Sequence, residues 1–298
     1  MGNVSKLKSS NSDRIFVGII TIIMFVYIVI VVYPIIFVTS ASFSNPMEVF
    51  AGKMWLLPRG FNMEAYKLVF RNNDIFIGYR NTLLYTIVGT FISIVVTMSG
   101  AYPMSRKKMY GRNIFMAFFV FTMFFSGGLI PTYMTAKSIG LYNNLWVMVI
   151  WGSVSVYNMI VARTFMQNTI SEELYEAAAI DNCSDVQAFF KIVLPLCSPI
   201  IAVLVLFYAV GYWNSYFNAL IYLNNRNLYP LQLFLREILL SSMTDNMTDM
   251  SSMDMSKFMV SESVKYAVII VSIVPMLILY PFMQGFFIKG IMIGSIKG

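Results

Sequence analysis

The chain alternates long apolar blocks with polar connections. Residues 15–38, 81–101, 113–134, 145–166, 197–223 and 264–288 each form a block of roughly twenty or more mostly apolar residues, the length a helix needs to cross about 30 Å of hydrocarbon. Six such blocks predict an all-α polytopic membrane protein with six transmembrane helices. The first block, Ile15 to Val38, is too long for a signal-peptide core and lacks a small-residue cleavage site, so it reads as a retained anchor that Tyr33-Pro34 near its end kinks or terminates. Ser126-Gly127-Gly128 and Pro131 interrupt the third block, and Pro275 and Pro281 fall in the sixth. Either neighbouring helices re-satisfy the freed backbone groups in a static bundle, or these two spans bend as a pathway opens.

The connections differ in character. Residues 39–78, punctuated by Pro46, Pro58 and Gly60, and residues 224–262 are long; the first carries WLLP and FNMEAYKLVF, short amphipathic pieces suited to a membrane surface. The second block ends at Tyr102-Pro103 and is followed at once by SRKKMYGR, dense in Lys and Arg. Trp146 and Trp151 fall near the level where aromatic belts form. Lys and Arg are nearly balanced between the two sides, but long loops count little in setting orientation. The basic N-terminus (residues 1–14, with Lys6, Lys8 and Arg14) and the SRKKMYGR turn then place both termini in the cytoplasm, with residues 289–298 as a cytoplasmic tail. The loops 39–78 and 224–262 then lie outside.

Composition narrows the function. The chain is 58% hydrophobic and 12% charged, with mean hydropathy +0.71, outside the range of soluble domains. Histidine is absent, which removes the commonest metal ligand and general acid/base. Cys183 and Cys197 have neither zinc spacing nor a disulfide framework and read as packing residues. The +7 charge fits anionic lipid headgroups, not nucleic acid, since no dense basic domain is present. An ion-coupled transporter would want ionisable residues inside its spans, yet Arg80 and Arg163 fall at span ends. An intramembrane enzyme would want a cluster of Asp or Glu at membrane depth, and the blocks carry none.

One polar stretch, Ser171 to Pro195 (SEELYEAAAIDNCSDVQAFFKIVLP), interrupts the second half of the chain. Ser171 or Thr169 caps a first helix, with Glu172 and Glu173 in the first turn where the helix dipole favours negative charge. Leu174, Ala177 and Ala178 fall close together on one side, and Glu173 and Glu176 on an adjacent strip. Asn182 suits the left-handed residue that ends a helix. Ser184 with Gln187 predicts a capping box opening a second helix, which Pro195 and Pro199 stop. Spacing alone leaves two readings open: a connection between the fourth and fifth spans, or a docking element for a partner outside the bilayer.

The same stretch resembles the EAA loop of bacterial ABC importer permeases, whose pattern is EAA, three residues, Gly, nine residues, Ile-x-Leu-Pro. Here Glu176-Ala177-Ala178, Asn182 and Ile192-Val193-Leu194-Pro195 keep every spacing, with Asn for Gly at 182. The six-block layout, with YWNSYFNALIYL, YPLQLFLREIL and KGIMIGSIKG, resembles the carbohydrate-importer permeases related to the maltose system, in the oligosaccharide branch of Gram-positive bacteria. That resemblance implies a bacterial cell-membrane subunit that is not itself an enzyme. It implies a second permease, a pair of ATPase subunits carrying ATP and Mg, and an extracellular binding lipoprotein as partners, with no cofactor on this chain. It makes Glu173, Glu176, Ala177, Ala178, Asp181 and Asn182 the coupling residues. No G-x-x-x-x-G-K-[ST] sequence is present, in keeping with ATP hydrolysis elsewhere.

Tyr212, Trp213, Asn214, Tyr216 and Asn218 mix aromatic faces with amides, which suits either a sugar path or an interfacial belt with packing amides. The methionines from 243 to 259, among Asp245, Asp249 and Asp254, are soft ligands that would suit Cu(I), or simply a variable outer loop.

Overall fold

A computed structural model describes residues 11–245 and 263–281, and within them every regular element is helical. Two units divide the chain: residues 1–71 with 239–271, and residues 72–238 with 272–298. Residues 1–10, the Met-rich run from 246 to 262, and residues 282–298 with the KGIMIGSIKG tail lie outside the described residues.

The first unit is led by α1 (Asn11–Ser42), whose most apolar window has no buried residue. A helix apolar all round and uncovered by its own chain is what a membrane span looks like. Pro34 sits inside it without ending it, so of the kink or termination expected at Tyr33-Pro34 the termination does not occur, and the helix runs on to Ser42. Beyond it come α2 (Pro46–Phe50), capped by the Asn45 side chain, and α3 (Glu64–Arg71). The intervening loop folds on Phe43, which stacks on Phe61 and on Tyr66 at 4.8 Å, while Ser42 Oγ and the Tyr66 hydroxyl share a 2.8 Å hydrogen bond.

The second unit is built around α4 (Asn73–Ser105), which starts earlier than the apolar block suggested because the Asn72 side chain accepts from Asp74 N. After it come α5 (Arg112–Phe124), α6 (Leu129–Ser138), α7 (Leu145–Ile150) and α8 (Val156–Thr169). The polar hairpin supplies α9 (Glu172–Ile180) and α10 (Asp185–Ala188), a π turn at Phe189–Val193, and α11 (Leu194–Leu196). The chain returns through α12 (Ser198–Trp213) and α13 (Phe217–Tyr222), and continues as α14 (Leu231–Asp245). A last helix, α15, covers Ser263–Pro281. The loop 224–262 thus contains a helix, α14, whose Leu231, Leu233 and Phe234 are buried, where no element was expected.

Within this unit α4 packs on α12, α8 and α7. Met98, Ala101 and Met104 interlock with Met159, Ala162 and Met166 and with Leu204 and Tyr208. A second cluster joins Tyr85, Val147, Val149 and Tyr222. Among the described residues, three helices are long and apolar enough to cross a membrane alone, or five crossings if each bent pair counts as one. One bent pair is α5–α6, turning by 113° at Phe125–Gly128, where Gly128 has φ +85°. The other turns by 79° between Asp185–Leu196 and Ser198–Trp213, beside Pro195 and Pro199, whose rings cannot continue the hydrogen-bond ladder. The fourth block is not one helix either: residues 151–155 separate α7 from α8, with Gly152 at φ +88°.

Candidate functional site

The hairpin forms as its sequence dictates. Helix α9 closes with Asp181 at its C-cap and Asn182 beyond it in the left-handed region, φ 55°. Asn182 N donates to Ala179 O at 3.1 Å and Cys183 N to Ala178 O at 2.9 Å, the paired bonds of a Schellman closure. Ser184 and Gln187 make the reciprocal capping box, at 3.3 and 3.1 Å, that opens α10. Ser171 stands at the N-cap of α9, but its side chain makes no capping hydrogen bond.

The faces of α9 divide sharply. Tyr175 and Ala178 turn inward and are buried, while Glu173, Leu174, Glu176, Ala177, Asp181 and Asn182 are exposed, and Ile180 is 85% exposed. The coupling residues inferred from the sequence are therefore brought together on one outer face, with one exception. Ala178 packs on the protein's own bundle, because helical spacing sets it on the same side as Tyr175. The outer face is a slim apolar strip of Leu174, Ala177 and Ile180 flanked by carboxylates, suited to a groove with basic walls.

The inner face grips the bundle through residues that local patterning does not reveal. The Arg106 guanidinium lies over the Tyr175 ring, 3.4 Å from its centroid. The Tyr102 ring packs against Phe189 at 5.1 Å, and its hydroxyl donates to Asp185 O at 3.2 Å. Burial pushes the Tyr175 hydroxyl up to about 12, against the opposing effect of Arg106, so it stays a protonated donor. Tyr175, Val193 and Cys197 join the same core as Met98, Met104 and Met166. The hairpin therefore packs on α4, α8 and α12 together. Tyr102 and Arg106 are some seventy residues away in sequence, and no periodicity links them to Tyr175.

A polar cavity of about 290 Å³ lies where two helices are interrupted, at residues 151–155 and at 214–216. Its wall includes Trp151, Ser155, Asn158, Tyr208, Tyr212 and Asn218. Of the five candidate path residues only Tyr212 and Asn218 line it. The Tyr212 hydroxyl donates to Val149 O at 2.9 Å and lies 3.0 Å from Ser93 Oγ. Trp213 is buried, and its indole donates to Ser272 O at 3.1 Å, a packing role. Asn214 bonds its own helix at Val210 O, and Tyr216 meets Phe217 edge-on. Ser155, Asn158 and Tyr208 were not singled out from the sequence, and Trp151 was read as a belt residue; the signal was Trp151-Gly152, which reads as a break within an apolar block.

Among the described residues no group of three His, Cys, Asp or Glu side chains is placed to hold a metal ion.

Residues 75–293, well over half of the chain, match the family described as binding-protein-dependent transport system inner membrane component. The polygalacturonan/rhamnogalacturonan transport system permease protein YtcP of Bacillus subtilis (strain 168) is 40% identical over 286 residues, covering 96% of this chain and 99% of that one. Protein LplC of the same organism is 35% identical over 309 residues, covering 100% of both. A chain from the crystal structure of a bacterial ABC transporter involved in the import of the acidic polysaccharide alginate superposes with a TM-score of 0.83 at 30% identity, covering 95% of this chain and 100% of that one.

Proposed function

Because the chain belongs to the family of binding-protein-dependent transport system inner membrane components, the permeases of ABC importers, we propose that its polar hairpin is the element through which a separate ATPase drives transport. The chain is a multi-pass membrane permease of a carbohydrate importer, a transport subunit and not an enzyme, in a family that carries no cofactor of its own. It works within an ABC transporter complex.

The observation that carries the coupling proposal is the closure of α9 at Asn182. It leaves Glu173, Glu176, Ala177 and Asp181 on the outside while Tyr175 and Ala178 hold the inside. Glu173, Glu176 and Asp181 meet basic groups on the ATPase, and Ala177 lets the two surfaces approach closely. Closure of the ATPase pair moves the hairpin, and its packing against α4, α8 and α12 rocks the bundle as a rigid body. Ala178 and Asn182 serve the shape of the hairpin.

The wider assembly in this reading is a second permease, two ATPase subunits and an extracellular binding lipoprotein that delivers a sugar or oligosaccharide. This reading counts six crossings with both termini in the cytoplasm: α1, α4 and α15 unbroken, and α5–α6, α7–α8 and α12–α13 as interrupted spans. The polar cavity is a stretch of the sugar path on this subunit. Interrupted helices around a cavity are where transporters place substrate, and aromatic faces beside amides and hydroxyls match the C–H faces and hydroxyl rims of sugars.

Glu176→Lys tests the coupling. The variant is expected to insert normally yet to lose both ATPase co-purification and uptake. Normal uptake by it, or uptake without any ATPase subunit, would overturn the proposal.

A further inference from the structure

We propose that the pocket between the α4–α5 turn and the start of α9 binds a phosphate-bearing anion, the headgroup of an anionic phospholipid. The inference rests on the cytoplasmic placement of the hairpin argued above. The pocket, about 390 Å³, is lined by Ser105, Lys107, Arg112, Gln167, Ser171 and Tyr175, among others. Three features point to an anion.

The first is an open helix start. Ser171 offers α9 no side-chain cap, and Ser171 and Glu172 line the pocket, which sets the positive end of the helix dipole at its edge. The second is a buried hydroxyl without a partner. Tyr175 is 8% exposed, lines this pocket, and its hydroxyl has no hydrogen-bond partner; Arg106 beside it lies over the ring face instead. Arg106 itself does not line the pocket, and its role is to hold the Tyr175 ring in place. A buried hydroxyl left without a partner is costly, and an anion would supply the missing acceptor. The third is unbalanced charge. Arg106, Lys107, Lys108 and Arg112 crowd one turn, and none forms a salt bridge with a described carboxylate. Glu172 also lines the pocket and is the one opposing charge there.

The surroundings favour a lipid over a free anion. The turn joins membrane-crossing α4 to α5, and α5 presents exposed Ile114, Phe115 and Phe118 directly after Arg112. A headgroup in the pocket thus has an apolar face on which to lay its acyl chains. Tyr110, 98% exposed, suits the interfacial level. Basic pockets at the cytoplasmic ends of spans are where such headgroups settle. Bound there, the phosphate would brace the Arg106–Tyr175 stack that ties the hairpin to α4, so anionic lipid would stiffen the coupling element.

The test is lipid retention. The full chain, purified with its co-expressed partner subunits, is placed in nanodiscs of mixed phosphatidylglycerol and phosphatidylcholine, and the retained lipids are read by native mass spectrometry. The wild type is expected to favour phosphatidylglycerol, and a Lys107→Gln/Arg112→Gln variant to lower that preference roughly tenfold. Tyr175→Phe keeps the ring on Arg106 and removes only the hydroxyl, and is expected to weaken retention several-fold. Equal preference in all three proteins overturns the proposal. So does displacement of the phosphatidylglycerol by millimolar inorganic phosphate, which would make the ligand a soluble anion. Loss of the ATPase subunit from the double variant with lipid retention unchanged would assign the charges to a protein partner, and also overturns it. Retention is read without transport, so failure of the coupling proposal leaves this result standing.

Discussion

Residue 182 offers a graded test of the hairpin. Asn182 holds φ 55°, a region that costs an ordinary L-residue about 1–2 kcal/mol and that Asn and Gly occupy more cheaply. Asn182→Gly is therefore neutral or mildly favourable, Asn182→Ala loses about 1 kcal/mol, and Asn182→Val, β-branched at positive φ, loses most. If Val forces the turn open, the bonds from Asn182 N to Ala179 O and from Cys183 N to Ala178 O go with it, each worth about 0.5–1.5 kcal/mol net. A total near 2 kcal/mol lowers the closed-to-open ratio roughly 30-fold. Hydrogen exchange over residues 176–187 reads this directly, since both amides lose protection when the turn opens. ATPase co-purification should fall in the same order, Gly and Asn above Ala above Val. Equal protection in the Val and Asn proteins, or a Gly protein worse than Val, would refute the argument that left-handed geometry shapes the hairpin.

Two further changes probe the frame that the hairpin moves. A Cβ at Gly89 would stand 2.5–2.8 Å from the Tyr212 ring, so Gly89→Ala must shift Tyr212 and strain its bonds to Val149 O and Ser93. A loss of about 1–3 kcal/mol is expected, read as a lower unfolding temperature in detergent, together with altered uptake because Tyr212 lines the polar cavity. Asn81, buried in α4, donates to Asn227 O at 2.8 Å and Tyr229 O at 3.0 Å, so Asn81→Ala leaves Tyr229 O unpaired and Asn227 O with only the 3.4 Å bond from Arg80, at about 1–3 kcal/mol. Faster proteolysis within 224–230, with α4 intact, is the expected signature.

The hairpin was legible because its signals are local. A left-handed stop at Asn182, a capping box at Ser184 and Gln187 and two prolines each act within a few residues, and each appears where spacing put it. Breaks inside the apolar blocks were only half legible. Ser126-Gly127-Gly128 announced the α5–α6 bend, but the apolar run from Leu145 to Met166 hid the break at Trp151–Ser155, since hydropathy averages over single residues. The direction of each path residue was not legible at all. Trp213 and Tyr212 are neighbours in sequence, yet successive helical positions point about 100° apart, and only packing decides that one bonds Ser272 and the other lines the cavity. Arg106 over Tyr175 is likewise a tertiary fact.

The central claim, that α9 docks on an ATPase through its outer face, is tested most directly by cross-linking. In a Cys183→Ser/Cys197→Ala background, which removes both native thiols, Ala177→Cys and Ala178→Cys are compared in membranes containing the whole complex. The exposed position 177 is expected to cross-link to the ATPase subunit through a short bifunctional reagent, with a yield that changes when ATP is added, and the buried position 178 is not. No link from 177 to the ATPase in any nucleotide state, in a complex that still transports, would contradict the account.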